Sequence, residues 1–350
     1  MKKMKQLNKR KKPIAIDLFS GCGGLSVGLA RAGFTVVAAC EIDEKAAATY
    51  TSNHPNVKLY RQDVRKLRAA RVLNDLCLKK GDVDLLAGCP PCQGFSRMRT
   101  KNGGAAIDDA RNNLVSEFLR FVRTLRPKML MLENVPGLRA DYRLQDIVRE
   151  LPKLGYEAVV EVLDAADYSV PQRRKRMILL ASRIHNPVLA RKANRKLTVK
   201  DAIGLLEPPA KSRDRLHSLI EHRSDRVREL IRHIPKNGGS RSDLPARFKL
   251  TCHKGFDGFA DVYGRMRWGD VSPTITSGCT NPSKGRFLHP SQNRAISLRE
   301  AALLQGFPRG YKFDISHGKE AISLMIGNAL PPPFIEAHAK ALMKGLKSAA

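Results

Sequence analysis

Two textures of apolar and polar positions divide this chain. Up to about Ser182, short apolar strand-like runs recur: Ile14 to Phe19, residues 35–40, Asp82 to Gly88, Lys128 to Glu133 and Arg176 to Ala181. Runs without alternation, such as Met129 to Leu132, fit strands buried on both faces. Between them, residues 24–32, 113–125 and 141–154 carry apolar positions three and four apart, as amphipathic helices do. Strands separated by helices predict an α/β fold with a mostly parallel central sheet covered on both faces.

After about Ser182 the pattern loosens. Helical spacing near 199–205 and 223–233 gives way to a stretch rich in Gly, Arg and Lys. It returns near Ser297 and again from Glu320 to Leu346, broken at Gly327-Asn328 and Pro331-Pro332-Pro333. The expected organisation is a basic flexible tail (1–12), a large discontinuous domain (13–182 with 318–350) and a small basic domain (183–317). No internal repeat is visible.

Charge narrows the class of partner. The 63 Lys plus Arg outweigh 33 Asp plus Glu, a net charge of +30. Such a surplus favours a polyanion, because neutralised phosphates release counterions; an anionic membrane surface is the competing reading. No apolar stretch reaches membrane-spanning length, and the Lys-rich start lacks the apolar core of a signal peptide. A cytoplasmic monomer is expected. Of seven cysteines, Cys89 and Cys92 form a Cys-x-x-Cys. No second pair follows at zinc spacing, so no metal is expected. Spacing alone leaves a redox pair open.

Candidate chemistry sits where the runs end. Ser20-Gly21-Cys22-Gly23-Gly24 follows the first strand and opens a helix, a nucleotide-binding device in which Gly admits close backbone approach. The spacing is neither the dinucleotide fingerprint nor a P-loop, and any tight turn also wants Gly. Glu41 ends the second strand, where a carboxylate accepts ribose hydroxyls, and Asp63 is placed to accept from an adenine amino group. Two solvent-facing acids are the alternative. Ribose and adenine without pyrophosphate fit S-adenosylmethionine better than NAD.

Cys92 follows the strand Asp84 to Ala87, at the carboxyl end of the sheet where α/β folds place ligands. Pro90 and Pro91 restrict the chain before it. Glu133 ends the next strand in sequence; if the two strands are neighbours, nucleophile and acid face one pocket. A buried structural thiol is the other reading of Cys92. Arg174 and Arg176 alternate, so they are expected to share a strand face, gripping a base oxygen and its phosphate and orienting Glu133; a solvated surface cluster or plain phosphate contact is the other reading.

These residues, in this order, resemble the bacterial DNA (cytosine-5) methyltransferases. Asp17-Leu18-Phe19-Ser20-Gly21-Cys22-Gly23-Gly24 resembles the family's first motif, Glu41-Ile42 the second and Asp63 the third. Pro90-Pro91-Cys92-Gln93 resembles the nucleophile motif, and Glu133-Asn134-Val135 the acid motif. Gln172-x-Arg174-x-Arg176, Arg299 to Pro308 and Gly327-Asn328-Ala329-Leu330-Pro331 resemble the eighth, ninth and tenth. The resemblance spans residues 14–335 and removes the redox and zinc readings.

It implies a Rossmann-like methyltransferase domain plus a small target-recognition domain. S-adenosylmethionine would contact Phe19, Ser20, Gly21, Gly23, Gly24, Leu25, Glu41, Ile42, Asp63, Val64, Pro91, Leu114, Asn328 and Ala329. A cytosine flipped from duplex DNA would be attacked at carbon 6 by Cys92, with Glu133 assisting at N3 and Arg174 and Arg176 beside them. Gln93, Ser96, Arg97, Arg99 and Arg111 would contact DNA from a closing loop, and Arg265, Arg267 and Thr274 from the recognition domain. The lone Trp268 reads as core packing. A restriction–modification setting is implied, with a cognate endonuclease as genetic partner; a solitary methyltransferase is the competing setting. A transfer-RNA methyltransferase on the same fold, a non-catalytic DNA-binding relative and a carboxylated cofactor are the alternatives.

Overall fold

The computed structural model describes residues 12–91, 113–219, 223–248 and 261–348. It divides into two compact units. The first comprises residues up to Tyr168, then Lys175–Lys192 and Leu330 onward; the second comprises Ser169–Arg174 and Ala193–Ala329.

In the first unit, strands and helices alternate as the apolar runs require. They are β1 (Ile14–Leu18), α1 (Gly24–Arg31), β2 (Thr35–Glu41), α2 (Glu44–Asn53), β3 (Lys58–Arg61), α3 (Ala69–Asp75) and β4 (Leu85–Gly88). After the undescribed segment come α4 (Leu114–Leu125), β5 (Met129–Asn134), α5 (Tyr142–Lys153), β6 (Glu157–Asp164) and β7 (Lys175–Ser182). Among the described residues, seven strands form one sheet in the order β3-β2-β1-β4-β5-β7-β6. Pairing is parallel from β3 to β5; β7 runs antiparallel to both β5 and β6.

Every residue of β1, β4 and β5 is buried, which is what their largely apolar sequences demand of central strands. One acid fixes the amino-terminal edge of this sheet. Asp84 accepts from the Ile14 backbone N–H at 2.8 Å through Oδ2 and from Lys128 Nζ at 2.8 Å through Oδ1. A second buried acid lies inside. Asp17 on β1 accepts from Ser26 Oγ of α1 at 2.6 Å, and Ser26 Oγ lies 2.7 Å from the Tyr50 hydroxyl of α2. All three are fully buried, and burial pushes the Asp17 carboxyl up to about 7.

The second unit holds α6 (Val199–Ile203), α7 (Arg215–Ser218), α8 (Asp225–His233), α9 (Leu298–Leu304) and α10 (Lys319–Asn328), joined by long irregular segments. Its small core gathers Leu230, Ile231, Ile234, Leu244, Tyr263 and Leu288. The lone Trp268 is half-buried, edge-on to His289 with centroids 5.1 Å apart.

The chain returns to the first unit as α11 (Pro332–Ser348), which packs on α1. Gly28 permits this: a Cβ there would lie 2.6 Å from Ile335 Cβ and 2.7 Å from the Pro332 carbonyl oxygen. The unit boundaries differ from those expected. Residues 183–192 stay with the first unit, where the Ala190 N–H donates to His338 Nδ1 at 3.2 Å. Helix α10 belongs to the second, because Ser323 Oγ donates to the Ser277 carbonyl at 2.7 Å and Gly327 lies against the Thr276–Ser277 backbone. No helix among the described residues is long and apolar enough to cross a membrane.

Candidate active site

The turn after β1 is built from backbone that few side chains tolerate. Phe19, Gly21 and Gly23 have φ of 62°, 54° and 101°. A non-Gly residue held there costs on the order of 1 kcal/mol, and such strain concentrates at ligand sites. At Gly21 a Cβ would meet nothing within 4 Å, so conformation, not crowding, asks for glycine. Gly23 starts α1 without a side-chain cap, which leaves the dipole of that helix end facing the loop.

Glu41 fastens the turn. Its Oε2 accepts from the Gly21 N–H at 2.7 Å, and its Oε1 from the N–H groups of Ile42 and Asp43 at 2.9 and 2.8 Å. Burial nevertheless holds its carboxyl above the usual carboxylate range. Ile42, beside it, is 65 % exposed, a flat apolar surface ready for an aromatic ring. Asp63 caps the turn after β3, accepting from the Arg65 N–H and Nε at 2.9 and 3.0 Å, and Arg65 holds it below the ordinary carboxylate range.

Exposed Ile42, open space above Gly21 and two carboxylates ending β2 and β3 suit an adenosine-bearing ligand. Leu25, Val64 and Leu114 are buried, the last two in the core of this unit. Ser20 is buried too, its N–H bonded to the Cys40 carbonyl at 3.0 Å, while Pro91 is exposed. Asn328 and Ala329 fall in the second unit, where the Ala329 carbonyl accepts from the side chains of Arg174 and Gln305.

β4 and β5 are neighbours, with Gly88 opposite Leu132. The residues just beyond that pair therefore meet: Cys89 Sγ donates to Glu133 Oε2 at 3.0 Å. From the other side, Arg176 on β7 brings its Nε to 3.0 Å from Glu133 Oε1. Glu133 is 1 % exposed. Asn134 Nδ2 donates to the Pro90 carbonyl at 2.9 Å and Asn134 Oδ1 accepts from the Val135 N–H at 2.8 Å. This buried amide pins the Pro90-Pro91 turn to the end of β5. Cys92 lies outside the described residues, as do Gln93, Ser96, Arg97, Arg99 and Arg111.

Two arginines depart from expectation. Arg174 precedes β7 and is 4 % exposed; it donates to the carbonyls of Ile275 at 3.0 Å, Gly327 at 2.9 Å and Ala329 at 3.3 Å. It braces the second unit instead of sharing a strand face with Arg176. Arg265, expected at DNA, is fully buried. Its guanidinium donates to the carbonyls of Ile231 and Ile234, capping the carboxyl end of α8, and to that of His289 and the side chain of Asn293. A residue so enclosed reads no base.

Its neighbours stay accessible. Arg267 lines an open cleft of about 360 Å³ with Arg173, Arg286, Asp261 and Asp270. Thr274 is half-exposed, its hydroxyl donating to the Arg173 carbonyl at 2.7 Å. Sequence reasoning set Cys89 aside and gave Asn134 no separate role. The signal for both was the parallel pairing of β4 with β5, since each lies one or two residues past a matched pair.

A Rossmann-like sheet with this adenosine-type turn and a buried carboxylate at the next crevice defines an S-adenosylmethionine-dependent methyltransferase. The chain belongs to the C-5 cytosine-specific DNA methylase family, whose model matches residues 14–344. It is 34 % identical over 353 residues to the type II methylase M.HgiDII of Herpetosiphon aurantiacus, covering 95 % of both chains. To the type II methyltransferase M1.HphI of Haemophilus parahaemolyticus it is 33 % identical, covering 94 % of this chain and 86 % of that one. Among solved structures it resembles a prophage-encoded DNA modification methyltransferase of E. coli, with TM-score 0.70, 26 % identity and coverage of 96 % and 99 %. The protein transfers a methyl group from S-adenosylmethionine to carbon 5 of cytosine in duplex DNA.

Proposed function

We propose that Glu133 is the acid of this reaction and Cys92 its nucleophile. The observation that carries the reading is the enclosure of the Glu133 carboxylate, gripped on one oxygen by Arg176 and on the other by Cys89. Carbon 5 of cytosine is a poor nucleophile. Addition of the Cys92 thiolate to carbon 6 makes the ring enamine-like, and Glu133 meets the charge developing at N3. S-adenosylmethionine, when bound, supplies the electrophilic methyl. Loss of the carbon-5 proton then expels the thiolate. Arg176 orients the acid throughout.

The cofactor's adenosine is proposed to lie over Ile42, with Glu41 at the ribose and Asp63 at the adenine amino group. Both carboxylates keep acceptor capacity beyond their backbone bonds. The target cytosine reaches the site by flipping from the duplex. Arg267 and Thr274 are proposed to contact DNA, with Gln93, Ser96, Arg97, Arg99 and Arg111. The protein acts as a cytoplasmic monomer in a type II restriction–modification system, shielding host DNA from a partner endonuclease; the type II names of its relatives support this setting.

Bisulfite sequencing of DNA from cells expressing the protein tests the reading. Protected cytosines in one short sequence context are expected, lost with Cys92→Ala and with Glu133→Ala. Protection that survives either substitution would overturn it.

A further inference from the structure

Of the pair Cys89 and Cys92, Cys89 is the one that the reaction leaves unused, yet it touches the acid. Its thiol leaves the end of β4, and Sγ lies 3.0 Å from Glu133 Oε2. The other carboxylate oxygen faces the Arg176 guanidinium across the strand pair β5–β7. One side chain thus comes from each of three adjacent strand ends. Two of the groups that face Glu133 among the described residues differ in kind: Arg176 is a permanent cation, whereas a thiol such as that of Cys89 is a small and weak donor.

That asymmetry suits an acid that must change protonation state within each turnover. A second cation on Oε2 would hold the carboxylate ionised. A carbon group would leave Oε2 without this restraint on its direction. A thiol fixes the oxygen and favours the ionised form only slightly. We propose that Cys89 is a positioning residue for methyl transfer, its S–H fixing Glu133 Oε2 so that the acid meets the cytosine edge in one orientation. The proposal rests on Glu133 being the acid.

The test uses single-turnover methylation of duplex DNA by the full chain, followed across pH, with Cys89→Ala, Cys89→Ser and Glu133→Gln. Removing the donor makes Glu133 harder to ionise, so the alkaline limb of the rate profile moves to higher pH in Cys89→Ala, by about half a unit or more. A hydroxyl donates more strongly than a thiol, so Cys89→Ser moves the limb below that of the natural protein. The expected order is Ser, then Cys, then Ala. The transfer rate of Cys89→Ala falls roughly tenfold, as loss of one hydrogen bond to a charged group implies, while both substrate KM values stay within about twofold.

An unmoved limb in Cys89→Ser overturns the proposal even if Cys89→Ala does not fold. A different order of limbs overturns it as well. If Glu133→Gln collapses while both Cys89 variants match the natural profile, only the role of Cys89 fails. If Glu133→Gln retains full rate, the assignment of the acid fails first.

Discussion

Arg176 Nε and Glu133 Oε1 lie 3.0 Å apart across the antiparallel pair β5–β7, with the arginine side chain 15 % and the glutamate 1 % exposed. So enclosed a carboxylate depends on its partner, since removing one member of a buried pair leaves an uncompensated charge. Arg176→Ala is expected to slow single-turnover methylation roughly 10²-fold, by loss of orientation of the Glu133 carboxylate. Glu133→Gln removes the proposed acid and is expected to slow transfer by about 10²–10⁴-fold. Cofactor affinity, measured by calorimetry, should change little in either.

Arg265 is a stability residue, not a reader of DNA. Arg265→Ala would strand the carbonyls of Ile231, Ile234 and His289 in a small core. A loss of about 3–5 kcal/mol is expected, visible as an early denaturant transition. Arg265→Lys should recover little, because an ammonium lacks the planar fork that spans these acceptors. Arg267→Ala, by contrast, should leave the transition in place and weaken DNA binding in a salt-dependent way.

Asp17 gives stability a pH dependence of definite sign. Its carboxyl stands near 7 in the fold against 3.8 for the ordinary group. A raised value means that the folded state keeps a proton the unfolded chain releases. Its contribution is complete below about 3.8 and is lost as pH climbs through 7. Asp17→Asn keeps an acceptor for Ser26 and cannot ionise. The stability difference between the variant and the natural protein should therefore move in the variant's favour between pH 4 and 7, by on the order of 2–4 kcal/mol. Chemical denaturation at stepped pH measures this difference and cancels other groups. A constant difference would reject the assignment.

Gly28 is expected to resist even alanine. Helix propensity alone favours Gly28→Ala by about 1 kcal/mol. Against this stand contacts of 2.6 Å to Ile335 Cβ and 2.7 Å to a backbone oxygen. Overpacking should win, at a net cost of about 1–3 kcal/mol. Limited proteolysis should then cut first within residues 332–348.

The central strands were legible because burial on both faces leaves an unmistakable apolar run; β1, β4 and β5 are of this kind. β3 and β6 went unread for the opposite reason. They lie at the sheet edges, β3 buries only Tyr60 and β6 buries no residue fully, so their sequences look like loop. The antiparallel course of β7 has no local signature either, since pairing direction is settled by chain path and not by residue type. At the site, motif order located Glu133 and Arg176. Burial separated residues that composition made alike: Arg265 and Arg267 are two apart in one basic cluster, yet only the second faces solvent. The tie between Cys89 and Glu133 depends on strand register, which spacing alone does not contain.

The seating of α11 against α1 at Gly28 also has a meaning for the order of synthesis. A ribosome makes α1 before α11, with the second unit emerging between them. Until α11 leaves the exit tunnel, the Gly28 face of the nascent first unit stays bare to solvent and to chaperones. The emergence of α11, and not of the strands that carry Glu133 and Arg176, is the event that covers the Gly28 face.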